Sequence, residues 1–328
     1  MYGEMMKFYG LQKDFDKTSF FESEGFIQTL ENIKAAIRSG GIIALTGIVG
    51  TGKTTALRKI EEAINKKIMG YEEQDIAVVK VLATDKHSVN TTTLYTALFA
   101  DLPRRKDFKV LVGPEKRERC LQDLVIRIKK PILLIIDDAH DLKSSALVGL
   151  KRIVEIVNDA GGTITILAVG HPKLGVDLQK PVMEEVGARA KVFELPILGE
   201  QKSEFIHWAL SDCIKPKDDI YQVISEEAIT MLAERLMTPL QITYYLMRTF
   251  TEGANVGDKP ISKETVEKVL SPDLDGLEAR LARNGYGINT LCKHLGARRT
   301  EVRAYLSGQL AGGKAEEFGE AIHRLGVI

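Results

Sequence analysis

The stretch Gly47-Ile48-Val49-Gly50-Thr51-Gly52-Lys53-Thr54 constrains this chain more than any other, because it satisfies G-x-x-x-x-G-K-[ST] at every fixed position. Its surroundings fit as well. Ahead of it GGIIALT reads as a short buried strand, and from Thr54 to about Lys67 apolar positions recur at helical spacing. A strand, a glycine turn and a helix in that order let the backbone curl so that its N–H groups face a phosphate. The helix dipole adds about half a positive charge in the same direction. Lys53 can then reach the β- and γ-phosphates of ATP, and the Thr54 hydroxyl can ligate Mg2+; Gly47, Gly50, Thr51, Gly52 and Thr55 complete the nucleotide-facing set. A fortuitous glycine turn is the bland alternative, and the agreement of all three elements argues against it.

A phosphate loop of this kind works with an acid at the end of a buried strand. The run Ile132 to Ile136, followed by Asp137-Asp138, supplies one. Asp137 is placed to hold Mg2+, and Asp138 to orient or deprotonate the attacking water, its bland alternative being a capping carboxylate in a loop. A further strand pattern, AVVKVL, lies between the glycine loop and the acids. The acid strand therefore need not be the sheet neighbour of the phosphate-loop strand, which favours additional-strand ATPases over simple nucleotide kinases.

The remaining strand patterns are TITILAV at 163 to 169 and KVFELPIL at 191 to 198, and helical patterns at 91 to 99, 117 to 130 and 145 to 158 lie between the strands from AVVKVL to TITILAV. Alternation of this sort predicts an α/β three-layer fold with a parallel sheet covered on both faces. Beyond Leu198 strand signals stop, and helical segments near 200 to 211, 225 to 236, 240 to 251 and 262 to 270 predict a lid; Ser271-Pro272 then breaks the last of them. The expected division is an α/β core over 1–198, a helical lid over 199–271 and a small all-α domain over 277–328. Basic and acidic residues balance at 45 each, so any nucleic-acid surface must be local. Cys120, Cys213 and Cys292 form no metal or disulfide framework, and no apolar run reaches the ~18 to 20 residues of a membrane span. A cytoplasmic protein is expected.

In the last segment INTLCKHLGARRTEVRAYLSG reads as helix, tight turn at Leu295-Gly296-Ala297, and second helix, with Leu291, Leu295, Val302 and Leu306 spaced to pack the pair. Such a helix-turn-helix would present Arg298, Arg299 and Arg303 to DNA. A helical hairpin docked on the core or on a partner, with solvated arginines, is the alternative. Lys86, and Arg104, Arg105 and Lys106, form loop clusters that are further candidates for DNA contact or plain solvated charge. His87, His140, His207, His294 and His323 show no metal spacing and receive no ligand role.

Over roughly residues 8 to 270 the chain resembles AAA+ ATPases of the ExeA-like group, which also takes in transposition ATPases of the TnsC and Mu phage B type. The likeness runs through FYGLQKDF, TGIVGTGKTT, LLIIDDAHDL and AVGHPKL. It implies that His171, ending the fourth strand, senses the γ-phosphate, and that Arg189 in EEVGARAKVFELP is an arginine finger donated to the ATP of a neighbouring subunit. A homo-oligomer, as a ring or a filament on DNA, is then the working unit. In TnsC-like relatives the loops corresponding to those of Lys86 and Arg104 to Lys106 track DNA backbone.

Two departures stand out. Asp137-Asp138 replaces the usual Asp-Glu, and MTPLQITYY puts Leu240 where the lid commonly carries an ATP-contacting arginine. Both suit slow turnover. The resemblance implies a DNA-binding regulator of transposition that assembles with ATP on target DNA and recruits a transposase, without a membrane. A secretion or assembly ATPase of the ExeA type and an ATP-gated transcriptional switch are the alternatives.

Overall fold

A computed structural model describes residues 2–65, 76–81, 89–102, 113–142, 144–215, 219–270, 274, 276–310 and 312–326. Lys86, His87, Arg104, Arg105 and Lys106 lie outside the described residues. The helices in chain order are α1 (Tyr2–Tyr9), α2 (Glu24–Ile37), α3 (Lys53–Asn65), α4 (Thr91–Asp101), α5 (Pro114–Ile128), α6 (Ser144–Asp159), α7 (Lys173–Leu178) and α8 (Glu184–Gly187). They continue as α9 (Lys202–Cys213), α10 (Glu226–Arg235), α11 (Pro239–Val256), α12 (Lys263–Val269), α13 (Leu277–Arg283), α14 (Ile288–Leu295), α15 (Arg299–Leu306) and α16 (Gly313–His323). The chain divides into two compact units, one of residues 28–47 and 53–195, the other of residues 1–27, 48–52 and 196–328.

The first unit is built on a sheet of β1 (Gly41–Thr46), β2 (Ala77–Val81), β3 (Ile132–Ile136), β4 (Ile164–Gly170) and β5 (Ala190–Glu194). Its order is β2-β3-β4-β1-β5, and every pairing is parallel. β4 thus separates the acid strand from the phosphate-loop strand, as the intervening AVVKVL pattern suggests. β3 and β4 are buried along their whole length, while the edge strand β5 is largely open. Uninterrupted apolar runs such as ILLII are what a parallel strand covered on both faces requires. Ile42 and Ala44 of β1 and alternate residues of β2, β3 and β4 form one core with Leu94 and Leu98 of α4, Leu121 and Val125 of α5, and Leu150, Ile153 and Val157 of α6. Each such side chain contributes about 1.5 to 3 kcal/mol on full burial.

The register sets up the site. Thr46 pairs with Gly170 and with Glu194, and Ile136 pairs with Ala168, so β1, β3, β4 and β5 end near one edge of the sheet. That carboxyl edge is where open α/β sheets bind ligands. β5 stops at Glu194, short of the expected strand to residue 198. Pro196 has no N–H to continue a ladder.

The second unit is helical. Its larger core joins Met5 and Tyr9 of α1 to Phe205 and Leu210 of α9, Leu232 of α10, Leu246 and Phe250 of α11, and Val266 of α12. α11 starts with Pro239 at its first turn and a reciprocal capping pair between Thr238 and Gln241, and ends at Gly257 with φ 74°. A smaller core of Leu281, Tyr286, Leu291, Val302 and Ile322 joins α13, α14, α15 and α16, with Cys292, Leu295 and Leu306 partly buried against it. Gly296, at φ 58°, closes α14 and turns the chain into α15.

Candidate functional site

The phosphate loop takes its shape from its glycines. Gly50 has φ +88° and Gly52 φ +93°, a left-handed region that side chains rarely enter, and α3 begins at Lys53. The loop is braced within itself: the Thr51 N–H and hydroxyl both donate to the Ile48 carbonyl, at 3.4 and 3.0 Å. At its start the Gly47 N–H donates to the Gly170 carbonyl at 3.2 Å, and the Lys53 ammonium donates to the Gly47 carbonyl at 2.8 Å. At its tip the Val49 N–H donates to the Arg283 carbonyl at 3.1 Å, and the Leu240 N–H to the Gly50 carbonyl at 3.4 Å. A Cβ on Gly50 would lie 2.6 Å from the Thr238 hydroxyl and 2.7 Å from the Leu240 Cβ, so only glycine fits. Thr54 is exposed and Thr55 half-buried on the first turn of α3.

The acids follow β3. The Asp138 N–H donates to the Asp137 carboxylate at 2.9 Å, and Asp138 takes φ 51°, which turns the chain sharply out of the strand. Desolvation pushes the Asp137 carboxyl up from its ordinary value; the Asp138 charge adds to this, and the Asp138 N–H and the Lys53 charge oppose it. Desolvation likewise pulls Lys53 down, against the attraction of Asp137 and Asp138. The ammonium and both carboxylates therefore act on one another electrostatically.

His171 follows β4 and begins the turn into α7, its carbonyl accepting from the Leu174 N–H at 2.8 Å. Its ring meets that of His140 edge to face, with centroids 4.0 Å apart. Arg189, just before β5, has an exposed side chain that pairs with Glu155 at 3.3 Å.

A phosphate loop with its lysine on the first carbonyl, and an acid pair on the strand two places away in the sheet, has a counterpart among known families. Residues 37–175 match the AAA domain family. General secretion pathway protein A of Aeromonas hydrophila is 24% identical over 204 residues, which are 60% of this chain and 35% of that protein. This chain thus spans only about a third of that relative's length. Among solved structures, the ORC2 protein of Aeropyrum pernix in its ADPNP–ADP complexes matches with a TM-score of 0.57 at 14% identity, over 97% of this chain and 91% of that one. Cdc6p of Pyrobaculum aerophilum matches at 0.54 and 16% identity, over 96% and 85%. A Drosophila ORC bound to DNA matches at 0.53 and 14% identity, over 92% and 78%. At such identities the structural likeness establishes the fold: an α/β unit on a five-stranded parallel sheet, followed by helices.

Downstream of residues 37–175, α14 and α15 form the expected pair of short helices around Gly296. Arg298, Arg299, Thr300, Arg303 and Ser307 are exposed, and from Arg299 onward they lie along one side of α15. The N-terminus of α15 is closed by Glu301, which accepts from the Arg298 N–H at 2.8 Å and is held in turn by Lys314 at 2.6 Å. Among the described residues no group of three or more His, Cys, Asp or Glu side chains forms a metal cage, and no helix is long and apolar enough to cross a membrane. Sequence reasoning missed His140 and Arg283, both of which touch residues of the site through contacts distant in sequence.

Proposed function

We propose that this chain is an ATPase that uses bound ATP as a switch for contact with DNA, and that it hydrolyses ATP slowly. The observation that carries the reading is the loop geometry: Gly50 and Gly52 at positive φ, α3 starting at Lys53, and the Lys53 ammonium on the Gly47 carbonyl at 2.8 Å. Desolvation disfavours the charged forms of both Lys53 and Asp137, and a magnesium nucleotide would favour them. The donors fit the ion: the Thr54 hydroxyl and the Asp137 carboxylate are the hard oxygens that Mg2+ takes alongside water and phosphate. When bound, Mg2+ neutralises charge on the β- and γ-phosphates.

The chain's own residues would do the rest. Backbone N–H groups of Gly50 to Thr55 and the Lys53 ammonium hold the phosphates. Asp138 orients the attacking water and accepts its proton, while a ring N–H of His171 donates a hydrogen bond to the γ-phosphate. The products are ADP, inorganic phosphate and the proton carried off by Asp138. Arg189 reaches the ATP of a neighbouring copy in a homo-oligomer, and such a guanidinium contributes on the order of a thousandfold in rate. The shorter Asp138, and the exposed Leu240 in place of a lid arginine, keep turnover slow.

Contact with DNA is supported by the helix pair α14–α15 and its exposed arginines, and by the DNA-bound ORC among the structures of the same fold. An assembly ATPase of a secretion system is the second reading, favoured by the likeness to General secretion pathway protein A. A transposition regulator that recruits a transposase is a narrower form of the first, and nothing in these likenesses is specific to it. Phosphate release by the wild type, with Asp138→Asn binding a non-hydrolysable ATP analogue normally but releasing at least a hundredfold less phosphate, tests the catalytic part. Equal release by both proteins would reduce Asp138 to a capping residue.

A further inference from the structure

His140 sits between the two residues to which hydrolysis is ascribed above, and neither its spacing nor its residue type singles it out. Its ring lies edge to face on that of His171, with centroids 4.0 Å apart and planes 70° apart. On another side its Nδ1 is 4.0 Å from the Asp138 carboxylate. The side chain is only 11% exposed, whereas that of Asp138 is 54% exposed. Asp138 sits on a left-handed backbone with its own N–H held by Asp137, so its carboxylate leaves the chain at the sharp turn that also carries His140.

The surroundings hold His140 still. The short 3-10 turn of Ala139–Asp141 buries Ala139, and the Leu142 N–H closes the turn on the Ala139 carbonyl at 3.1 Å. From α7, the Lys173 ammonium donates to the His140 carbonyl at 3.2 Å and is itself paired with Asp177, which also binds Lys180. From β4, Gly170 is the residue beneath the imidazole: a Cβ there would lie 2.9 Å from the His140 backbone nitrogen and 3.1 Å from its Cβ. The glycine that ends β4 therefore makes room for His140, and the residue after that glycine is His171. Turn, helix and strand converge on one imidazole, which packs on the His171 ring and faces the Asp138 carboxylate across 4.0 Å.

We propose that His140 is a positioning residue for ATP hydrolysis, fixing the Asp138 carboxylate and the His171 ring relative to each other. This rests on the reading that Asp138 and His171 act on the water and the γ-phosphate. His140 itself touches neither reactant. Loss of it should leave nucleotide binding alone and slow the chemical step, because the acid and the sensor then sample directions in which only one of them is aligned. The edge contact can be separated from the polar one. Phenylalanine preserves a ring against His171 and removes the nitrogen facing Asp138, whereas glutamine restores a polar group of similar reach.

The experiment measures phosphate release under saturating ATP and the affinity for a fluorescent non-hydrolysable ATP analogue, in the full chain carrying His140→Ala, His140→Phe, His140→Gln, His171→Ala, or His140→Ala with His171→Ala. We expect kcat to fall about tenfold or more in the alanine and phenylalanine variants, with analogue affinity within twofold of wild type. The glutamine variant should recover to within about threefold of wild type. The double variant should be slower than His171→Ala alone, since the constraint on Asp138 is lost as well. Wild-type kcat in both the alanine and phenylalanine variants would overturn the proposal. So would a loss of kcat and affinity together in all three single His140 variants, glutamine included, because that marks a purely structural residue. Wild-type kcat in Asp138→Asn, measured alongside, would instead overturn the reading beneath it.

Discussion

The Lys53 ammonium lies 2.8 Å from the carbonyl oxygen of Gly47, so the last cation of the phosphate loop closes back onto the loop's first residue. That contact fixes the ammonium against the Gly47 carbonyl, and burial lowers its affinity for a proton. A bound triphosphate would favour its charged form. Lys53→Ala should therefore weaken ATP-analogue binding by about 10 to 100-fold, the equivalent of a charge-assisted contact of about 1.5 to 3 kcal/mol. Equilibrium titration with a fluorescent analogue checks this, and an unchanged affinity would show that the loop does not hold the nucleotide.

Gly50→Ala should be costlier than its single methyl group implies. The position combines φ +88° with a Cβ that would lie within 2.7 Å of both Thr238 and Leu240, so the loop tip or the start of α11 must move. Backbone strain of this kind costs about 1 to 3 kcal/mol. Gly161 also has a positive φ, at +74°, but nothing lies within 4 Å of its Cβ. Thermal unfolding should show Gly50→Ala less stable than Gly161→Ala, and only the former should lose analogue affinity.

Acid stability gives a third outcome. Burial would raise the Asp177 carboxyl, but hydrogen bonds and charge from Lys173 and Lys180 outweigh it and hold it below its ordinary value. A carboxyl depressed in the folded state contributes stability that is present above the unfolded pKa, about 3.9, and is lost as pH falls through the lower folded value. Asp177→Asn should therefore cost about 1 to 2 kcal/mol at pH 7 and much less near pH 3. Urea unfolding at the two pH values checks this. A cost that does not shrink at low pH would assign the effect to packing.

The sheet and the phosphate loop were legible because their determinants are local: an apolar run, two glycines and a lysine within a few residues. β3 and β4 needed nothing from outside themselves. The helix α1 was not legible and reads in the sequence as a polar lead-in, since eight residues cannot sustain a helix alone. It is fixed by Tyr9, whose hydroxyl donates to the Asp258 carbonyl at 2.6 Å and whose ring meets Phe250 at 4.8 Å, contacts more than 200 residues away. The same reason hid His140, which draws its place from His171 in the next strand-to-helix turn. Arg283 was hidden likewise, because it is a backbone carbonyl rather than the side chain that reaches the loop.

The central claim is that nucleotide governs contact with DNA, and duplex-DNA binding measured together with particle size tests it most directly. The account predicts that the wild type binds at least tenfold tighter with a non-hydrolysable ATP analogue than with ADP, and forms larger particles on DNA with the analogue. It predicts that Lys53→Ala loses this difference, and that alanine at Arg298, Arg299 and Arg303 together weakens binding while leaving analogue affinity intact. Binding of equal strength with analogue and ADP, or no DNA binding in either state, would contradict it.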